Sequence, residues 1–334
     1  MINYLKLIQY LIYAFFVTLI ISPFVISFIK REKVKQVILK YVESHSGKAG
    51  TPTMGGIIFL MSISIVSLIC FEGQSQLGKM SLIVFVAYGL VGFLDDFIKF
   101  KFKQNEGLKP YQKIIFQLAI SIGVGVYVYY SKIGSIIIMP FTNYIVDIGI
   151  WIIPLVAIIY LASTNAVNLT DGLDGLAGST TLCYMSSFVI LMLVLLNSGV
   201  IGYNAIMVEE TYNIAVLSVV SVGALLSFLV FNCFPAKIFM GDTGSLALGS
   251  LVGSVAVFTG LELYIPILGI MFVASAVSVI IQVAYYKLTK KRIFLMAPLH
   301  HHFEKKGVHE VRITMCYSLI TFFVGLVVIL INIL

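Results

Sequence analysis

Ten long apolar blocks constrain this chain more than any other feature. They lie near 3–29, 55–71, 78–98, 114–131, 144–163, 176–196, 212–231, 243–260, 262–286 and 312–333. At 1.5 Å rise per helical residue, such blocks approach the ~30 Å of a bilayer's hydrocarbon layer. Only 11% of the 334 residues are charged and 60% are hydrophobic, whereas a soluble domain carries roughly a quarter charged residues. The surplus apolar surface is lipid-facing surface. The expected class is an all-α polytopic membrane protein with ten transmembrane helices, forming one domain over 1–334. A membrane β-barrel would show ~10-residue alternating segments instead of continuous runs.

Charge sets the expected sidedness. The first block is too long for a signal-peptide core, and no small-residue cleavage site follows, so it reads as a retained helix. Lys30 and Arg31 follow it, which places its C-terminal end in the cytoplasm. With both termini outside, all 22 Lys and Arg except Lys6, Lys79 and Lys132 fall on inner segments. The net charge of +7 is therefore a basic inner collar facing lipid headgroups, and no nucleic-acid partner is implied. The segment 133–147 reads as a short periplasmic β-hairpin around "PFTN". The five outer acids, Glu72, Asp147, Glu209, Glu210 and Glu262, show no pattern. Four scattered cysteines without CxxC spacing suggest apolar fillers, not a zinc site or disulfide framework.

The unusual polar residues gather on the inner side. "SGKAGTPTMGG" (46–56) leads into the second block, where Thr51 and Thr53 can cap a helix or meet a phosphate. "LDDFIK" ends the third block with Asp95 and Asp96. Consecutive helical residues point ~100° apart, so the two are expected to serve different partners. At a helix C-terminus the dipole opposes them, so a cation is expected nearby: a metal ion, or Lys99, Lys109 or Lys113. In "TNAVNLTDGLDGLAG" (164–178), Asn165, Asn168, Asp171 and Asp174 recur every third residue, as do Gly172, Gly175 and Gly178. On a helix they form one polar stripe beside bare backbone fit for a nucleotide or phosphate; the alternative is a turn. "FNCFPAKIFMGDTGS" gathers Asn232, Lys237, Phe239 and Asp242. "MAPLHHHFEKKG" holds His300, His301 and His302 in succession. Three adjacent imidazoles do not readily ligate one zinc ion, and facing a diphosphate suits them better.

Hard carboxylate oxygens select Mg²⁺ or Mn²⁺, and with lysines they suit phosphoryl transfer, which depends on positioning and charge neutralisation. The residues alone thus point to a Mg²⁺-dependent phosphotransferase acting on a lipid phosphate at the inner membrane surface.

Together "GTPTMGG", "FLDDFIK", "NAVNLTDGLDGLAG", "FNCFPAKIFMGDTGS" and "APLHHHFE", in that order between about 45 and 310, resemble the polyprenyl-phosphate N-acetylhexosamine-1-phosphate transferases. The first and last point to the phospho-N-acetylmuramoyl-pentapeptide transferase branch. The resemblance implies transfer of phospho-MurNAc-pentapeptide from UDP-MurNAc-pentapeptide to undecaprenyl phosphate, giving lipid I and UMP. It implies Asp242 as principal metal ligand, with Asp95 and Asp96 beside the metal and the attacking phosphate. It implies a nucleotide and diphosphate site of Lys48, Thr53, Lys113 (with Lys109 as a rival), Asn168, Asp174 and Phe239. Asp171, Asn232 and the three histidines would complete it, with His300 and His301 in catalysis. A homodimer and a broken ninth helix are also implied. Asp96 can be an organiser, a base or a covalent nucleophile in this scheme. A phosphomonoester with a second pKa near ~6 is already mostly dianionic at neutral pH, which favours direct in-line attack.

A sister enzyme moving GlcNAc-1-phosphate is the nearest rival. A transporter would need ionisable residues at mid-span and access from both faces, and these spans are nearly free of charge between their ends. A non-catalytic scaffold would tolerate loss of Asp242.

Overall fold

A computed structural model describes residues 3–32, 51–102, 107–131, 135–142, 144–201 and 205–334. Twelve helices and one two-stranded sheet make up this part of the chain. The helices are α1 (Tyr4–Arg31), α2 (Gly56–Cys70), α3 (Gln76–Phe102), α4 (Pro110–Ser131), α5 (Ile152–Thr170) and α6 (Leu176–Asn197), followed by α7 (Ala205–Asn232), α8 (Gly241–Val257), α9 (Ile265–Leu268), α10 (Ile270–Thr289), α11 (Leu299–Lys305) and α12 (Glu310–Ile333). Among the described residues, eight helices are long and apolar enough to cross a membrane: α1, α3, α4, α5 with its leading turn, α6, α7, α10 and α12. The chain is an integral membrane protein. α2 has 15 residues and α8 has 17, or about 23 and 26 Å of helix.

The structure departs from the block boundaries in two places. The block at 144–163 starts as strand, and α5 begins only at Ile152. β1 (Ile136–Ile138) pairs antiparallel with β2 (Ile145–Asp147), Ile137 opposite Val146. The Ile138 N–H donates to Gly260 O at 2.8 Å, tying this hairpin to the end of α8. The block at 262–286 is two helices, broken at Gly269, whose N–H bonds Ile265 O at 2.8 Å. Ahead of the break, Pro266 sits in the first turn of α9, where its missing N–H is harmless.

Helix α8 is the hub. Every residue from 243 to 257 is buried, and α3, α5, α2 and α6 pack around it. Lipid supplies no hydrophobic drive between helices, so close backbone approach through small residues must hold them. A methyl group on Gly92 of α3 would overlap the Asp242 carbonyl, and one on Gly249 would overlap Thr164 of α5. Tyr160 and Ser254 share a 2.8 Å hydrogen bond across the α5–α8 contact. A smaller cluster of Leu173, Leu176, Met271, Ile313 and Tyr317 lies apart from the main core and anchors the α5–α6 turn to α10 and α12.

At the end of the bundle away from the Asp-rich motifs, the acids are patterned after all. Glu210 of α7 accepts the N–H groups of Gln76 and Leu77 at 2.8 and 2.7 Å, capping α3 from another helix. Glu72 pairs with Lys6 at 2.6 Å and is tied through its backbone to the Asn213 amide. No spacing rule reveals this, because the partners are over 60 residues apart.

Candidate active site

The Gly92 contact sets the distance between α3 and α8, and that distance decides what the two aspartates meet. Asp96 lies at the N-terminus of α8: its carboxylate accepts the Asp242 N–H at 3.2 Å, the Thr243 N–H at 2.9 Å and the Thr243 hydroxyl at 2.7 Å. α3 runs on to Phe102, so Asp96 stands ahead of its last turn and not at the C-terminus expected from the motif; it is the positive end of α8 that favours its charge. Asp95 turns elsewhere. It accepts the Leu108 N–H at 2.9 Å and pairs with Lys99 at 2.6 Å and Lys113 at 3.4 Å. The two aspartates have different partners, as helical geometry requires.

Asp242 completes the arrangement. Its Oδ2 pairs with Lys99 at 2.9 Å and Lys113 at 2.6 Å, and its Oδ1 accepts from the Asn168 amide at 2.7 Å. Asn168 also donates to Ser245 Oγ at 2.8 Å, so α5 fixes Asp242 from the side. Asp95, Asp96 and Asp242 each offer a carboxylate oxygen within 4.8 Å of the others, and this group can hold a metal ion. The donor set is hard oxygen only, which fits Mg²⁺ or Mn²⁺ and not zinc. Asp96 is the one of the three whose partners are all donors of α8. Lys113, not Lys109, reaches the carboxylates; Lys109 is exposed. Lys99, which motif reasoning placed nearby but outside the site, bridges Asp95 and Asp242. Its i,i+4 spacing from Asp95 was the available signal.

Other expected residues land differently. Helix α5 ends at Thr170 and α6 starts at Leu176, so 171–175 is a turn and the expected polar stripe breaks. Asp171 caps the end of α5, and Gly175, with φ +72°, is the left-handed residue from which α6 starts. Asn165 donates to Gln117 of α4 at 2.8 Å, away from the carboxylates. Asp174 accepts the Ala236 N–H at 2.9 Å and Asn232 donates to Ile238 O at 2.9 Å; both hold the 233–240 loop. The glycine strip is covered by protein: Gly172 by His300 and His301, Gly178 by Leu229. Burial pushes the Asp171 carboxyl up to about 8, and the charges of Asp242, Asp96 and Asp174 add to the effect.

The "GTPTMGG" segment pairs by backbone with the start of α8. Phe239 N–H donates to Pro52 O, Gly55 N–H to Phe239 O and Gly56 N–H to Met240 O, all at 2.8–2.9 Å. Neither threonine caps α2, whose N-cap is Gly55; the Thr53 hydroxyl instead lies beside Gly241, next to Asp96. The partly buried Phe239 stands in this paired segment. Lys48 lies outside the described residues.

The three histidines do not act as a block. His302 Nδ1 accepts the Leu295 N–H at 3.1 Å, which makes it a loop tie. His300 is fully buried and stands edge-on to Tyr317 at 6.3 Å. His301 pairs through Nδ1 with Glu304 at 2.8 Å.

The fold and this knot of carboxylates, lysines and an asparagine define a membrane-embedded transferase class: residues 78–260 match the model of glycosyl transferase family 4, and residues 48–60 match the phospho-N-acetylmuramoyl-pentapeptide-transferase signature 1. Curated relatives of that name come from Clostridium novyi, Clostridioides difficile and Clostridium kluyveri. The first is 46% identical over 92% of this chain and 91% of its own length. The second is 44% identical over 92% of each, and the third 43% over 96% and 98%. This chain belongs to the phospho-N-acetylmuramoyl-pentapeptide transferase family.

Proposed function

We propose that the chain transfers phospho-MurNAc-pentapeptide from UDP-MurNAc-pentapeptide to undecaprenyl phosphate, releasing UMP and forming lipid I for peptidoglycan synthesis. The observation that carries this reading is the convergence of Asp95, Asp96 and Asp242 with Lys99 and Lys113 in a member of this family. Two ammonium groups and a hard-oxygen cluster suit a diphosphate donor and a phosphate acceptor better than any neutral substrate.

The residues divide the work. Asp242, held by Asn168, and Asp95 are the principal ligands for Mg²⁺, with Mn²⁺ as a substitute, and Asp96 fixes the backbone from which Asp242 projects. When bound, the metal would neutralise charge on the transferring phosphoryl group. Lys99 and Lys113 release their carboxylates and turn to phosphate oxygens. The acceptor phosphate is already mostly dianionic at neutral pH, so attack is direct and in line, and Asp96 acts as organiser, not as base or covalent nucleophile. Its three hydrogen bonds to α8 support that role. Asp171 and Asp174, with His300 and His301, line the donor side; Phe239 extends it toward the nucleotide, and the motif assigns Lys48 to nucleotide binding. The single domain spans ten segments, α2 and α8 included. Its site faces the cytoplasm of a bacterial inner membrane and its hairpin faces the periplasm, and the active unit is a homodimer.

UMP release measured with UDP-MurNAc-pentapeptide and undecaprenyl phosphate, with and without Mg²⁺, tests this. UDP-GlcNAc serves as the competing donor. Metal-dependent release with the muramoyl donor alone is expected; equal or better release from UDP-GlcNAc would overturn the assignment.

A further inference from the structure

The three histidines are equivalent by sequence and unequal by structure, and the difference singles out a residue with no role so far. His301 Nδ1 lies 2.8 Å from Glu304 Oε2, one turn further along α11. Both side chains are largely withdrawn from solvent, at 13% and 14% exposed, so this is not a solvated surface pair on a helix. On the other side of the ring, His301 Nε2 points at the α5–α6 turn. It lies 3.0 Å from where a methyl group on Gly172 would stand, beside His300 Nε2. The two imidazole centroids are 4.3 Å apart. Gly172 directly follows Asp171, whose carboxyl feels the charges of Asp242 and Asp96.

We propose that Glu304 is a positioning residue for the transfer reaction, holding His301 so that its Nε2 meets an oxygen of the donor's diphosphate. An imidazole has two nitrogens, and the partner of one decides what the other presents. With Nδ1 facing Glu304 Oε2, Nε2 is the nitrogen on the side of the turn, and a ring that carries a proton on each nitrogen can donate Nε2–H to a phosphoryl oxygen. No bond to carbon or phosphorus forms or breaks at His301. The absent methyl of Gly172 lets both imidazoles close on the turn, since a methyl there would overlap His300 Nε2 and stand 3.0 Å from His301 Nε2. Among the described residues, His300 lies beside His301 on the same helix, Tyr317 of α12 stands edge-on to His300, and Asp171 precedes the Gly172 that both rings cover. This inference rests on the nucleotide-diphosphate donor proposed above.

The test varies the two substrates separately in UMP-release assays on the purified full chain, and measures binding of UDP by calorimetry. Glu304→Ala is expected to lower kcat/KM for UDP-MurNAc-pentapeptide, and UDP affinity, by roughly tenfold, within the range of coupling between contacting polar side chains. KM for undecaprenyl phosphate stays unchanged. Glu304→Gln keeps an oxygen that accepts Nδ1–H, and is expected to stay within about threefold of the parent. In a His301→Gln background, Glu304→Ala adds no further loss. The proposal is overturned if Glu304→Ala weakens both substrates alike, if Gln fails to rescue, or if the loss persists without His301. Failure of the functional reading looks different: the unmodified chain then releases no UMP, and the UDP-binding arm still decides whether Glu304 acts through His301.

Discussion

Asp96 and Asp242 divide structure and chemistry between neighbouring carboxylates. Asp96 gives its oxygens to three donors of α8. Asp96→Ala is therefore expected to lose stability, by about 1–3 kcal/mol for a buried cap of this kind, seen as a fall in melting temperature. Thr243→Val removes only the hydroxyl donor and is expected to cost about 1 kcal/mol. Asp242→Asn should leave melting nearly unchanged while cutting UMP release by roughly 10²-fold or more, the usual scale for losing one preorganised electrostatic contact. If Asp242→Asn unfolds the protein and Asp96→Ala does not, the division is the reverse. Asp171 gives the pH dependence. Its folded pKa of about 8 lies above the ordinary 3.8. Its contribution to stability is thus complete below about pH 4 and is lost as pH rises toward 8. Metal-free protein should melt at progressively lower temperature across that window, and Asp171→Asn should flatten the slope. A slope unchanged by Asp171→Asn would show that another group sets it.

At the level of elements, the helices were legible because lipid imposes length and apolarity on each one, and most apolar blocks met a helix within a few residues. The misses have local causes. The turn from Asp171 to Gly175 breaks a polar periodicity that counting alone would continue through Asp174. Residues 144–147 fell both in an apolar block and in the hairpin read around "PFTN", and the pairing of Ile145–Asp147 with Ile136–Ile138 gives them to the hairpin. The site residues were legible as a set, because Asp and Asn in apolar surroundings demand partners. Their assignments were not, since Asp174 and Asn232 satisfy loop backbone and His302 satisfies Leu295. Such contacts depend on tertiary proximity, which spacing does not encode. The cap that Glu210 places on α3 belongs to the same category and is separable from catalysis. Glu210→Ala should cost about 1–2 kcal/mol of stability and leave kcat/KM for both substrates intact. An equal fall in activity of the folded variant would tie that end of α3 to the chemistry.

For the whole molecule, orientation is the property with the plainest readout. In a cysteine-free background, Lys101→Cys at the end of α3 and Tyr144→Cys in the hairpin should lie on opposite sides of the membrane. A membrane-impermeant maleimide added to intact cells should label Tyr144→Cys and spare Lys101→Cys until the cells are opened. The reverse pattern would invert the topology proposed above. Both positions are exposed at the ends of the bundle, so labelling reads sidedness and not burial.

The enclosure of α8 has a consequence for how the molecule moves. The helix that carries Asp242 is walled in on every side from residue 243 to 257, whereas the 290–298 segment and much of α10 face outward. Amide hydrogens on α8 should therefore be among the slowest in the chain to exchange with solvent deuterium, and those of 290–298 among the quickest. Substrates would meet a fixed floor under a yielding rim. A compound shaped to the floor should bind with little rearrangement, and one that grips the rim should reveal itself by slowing exchange there.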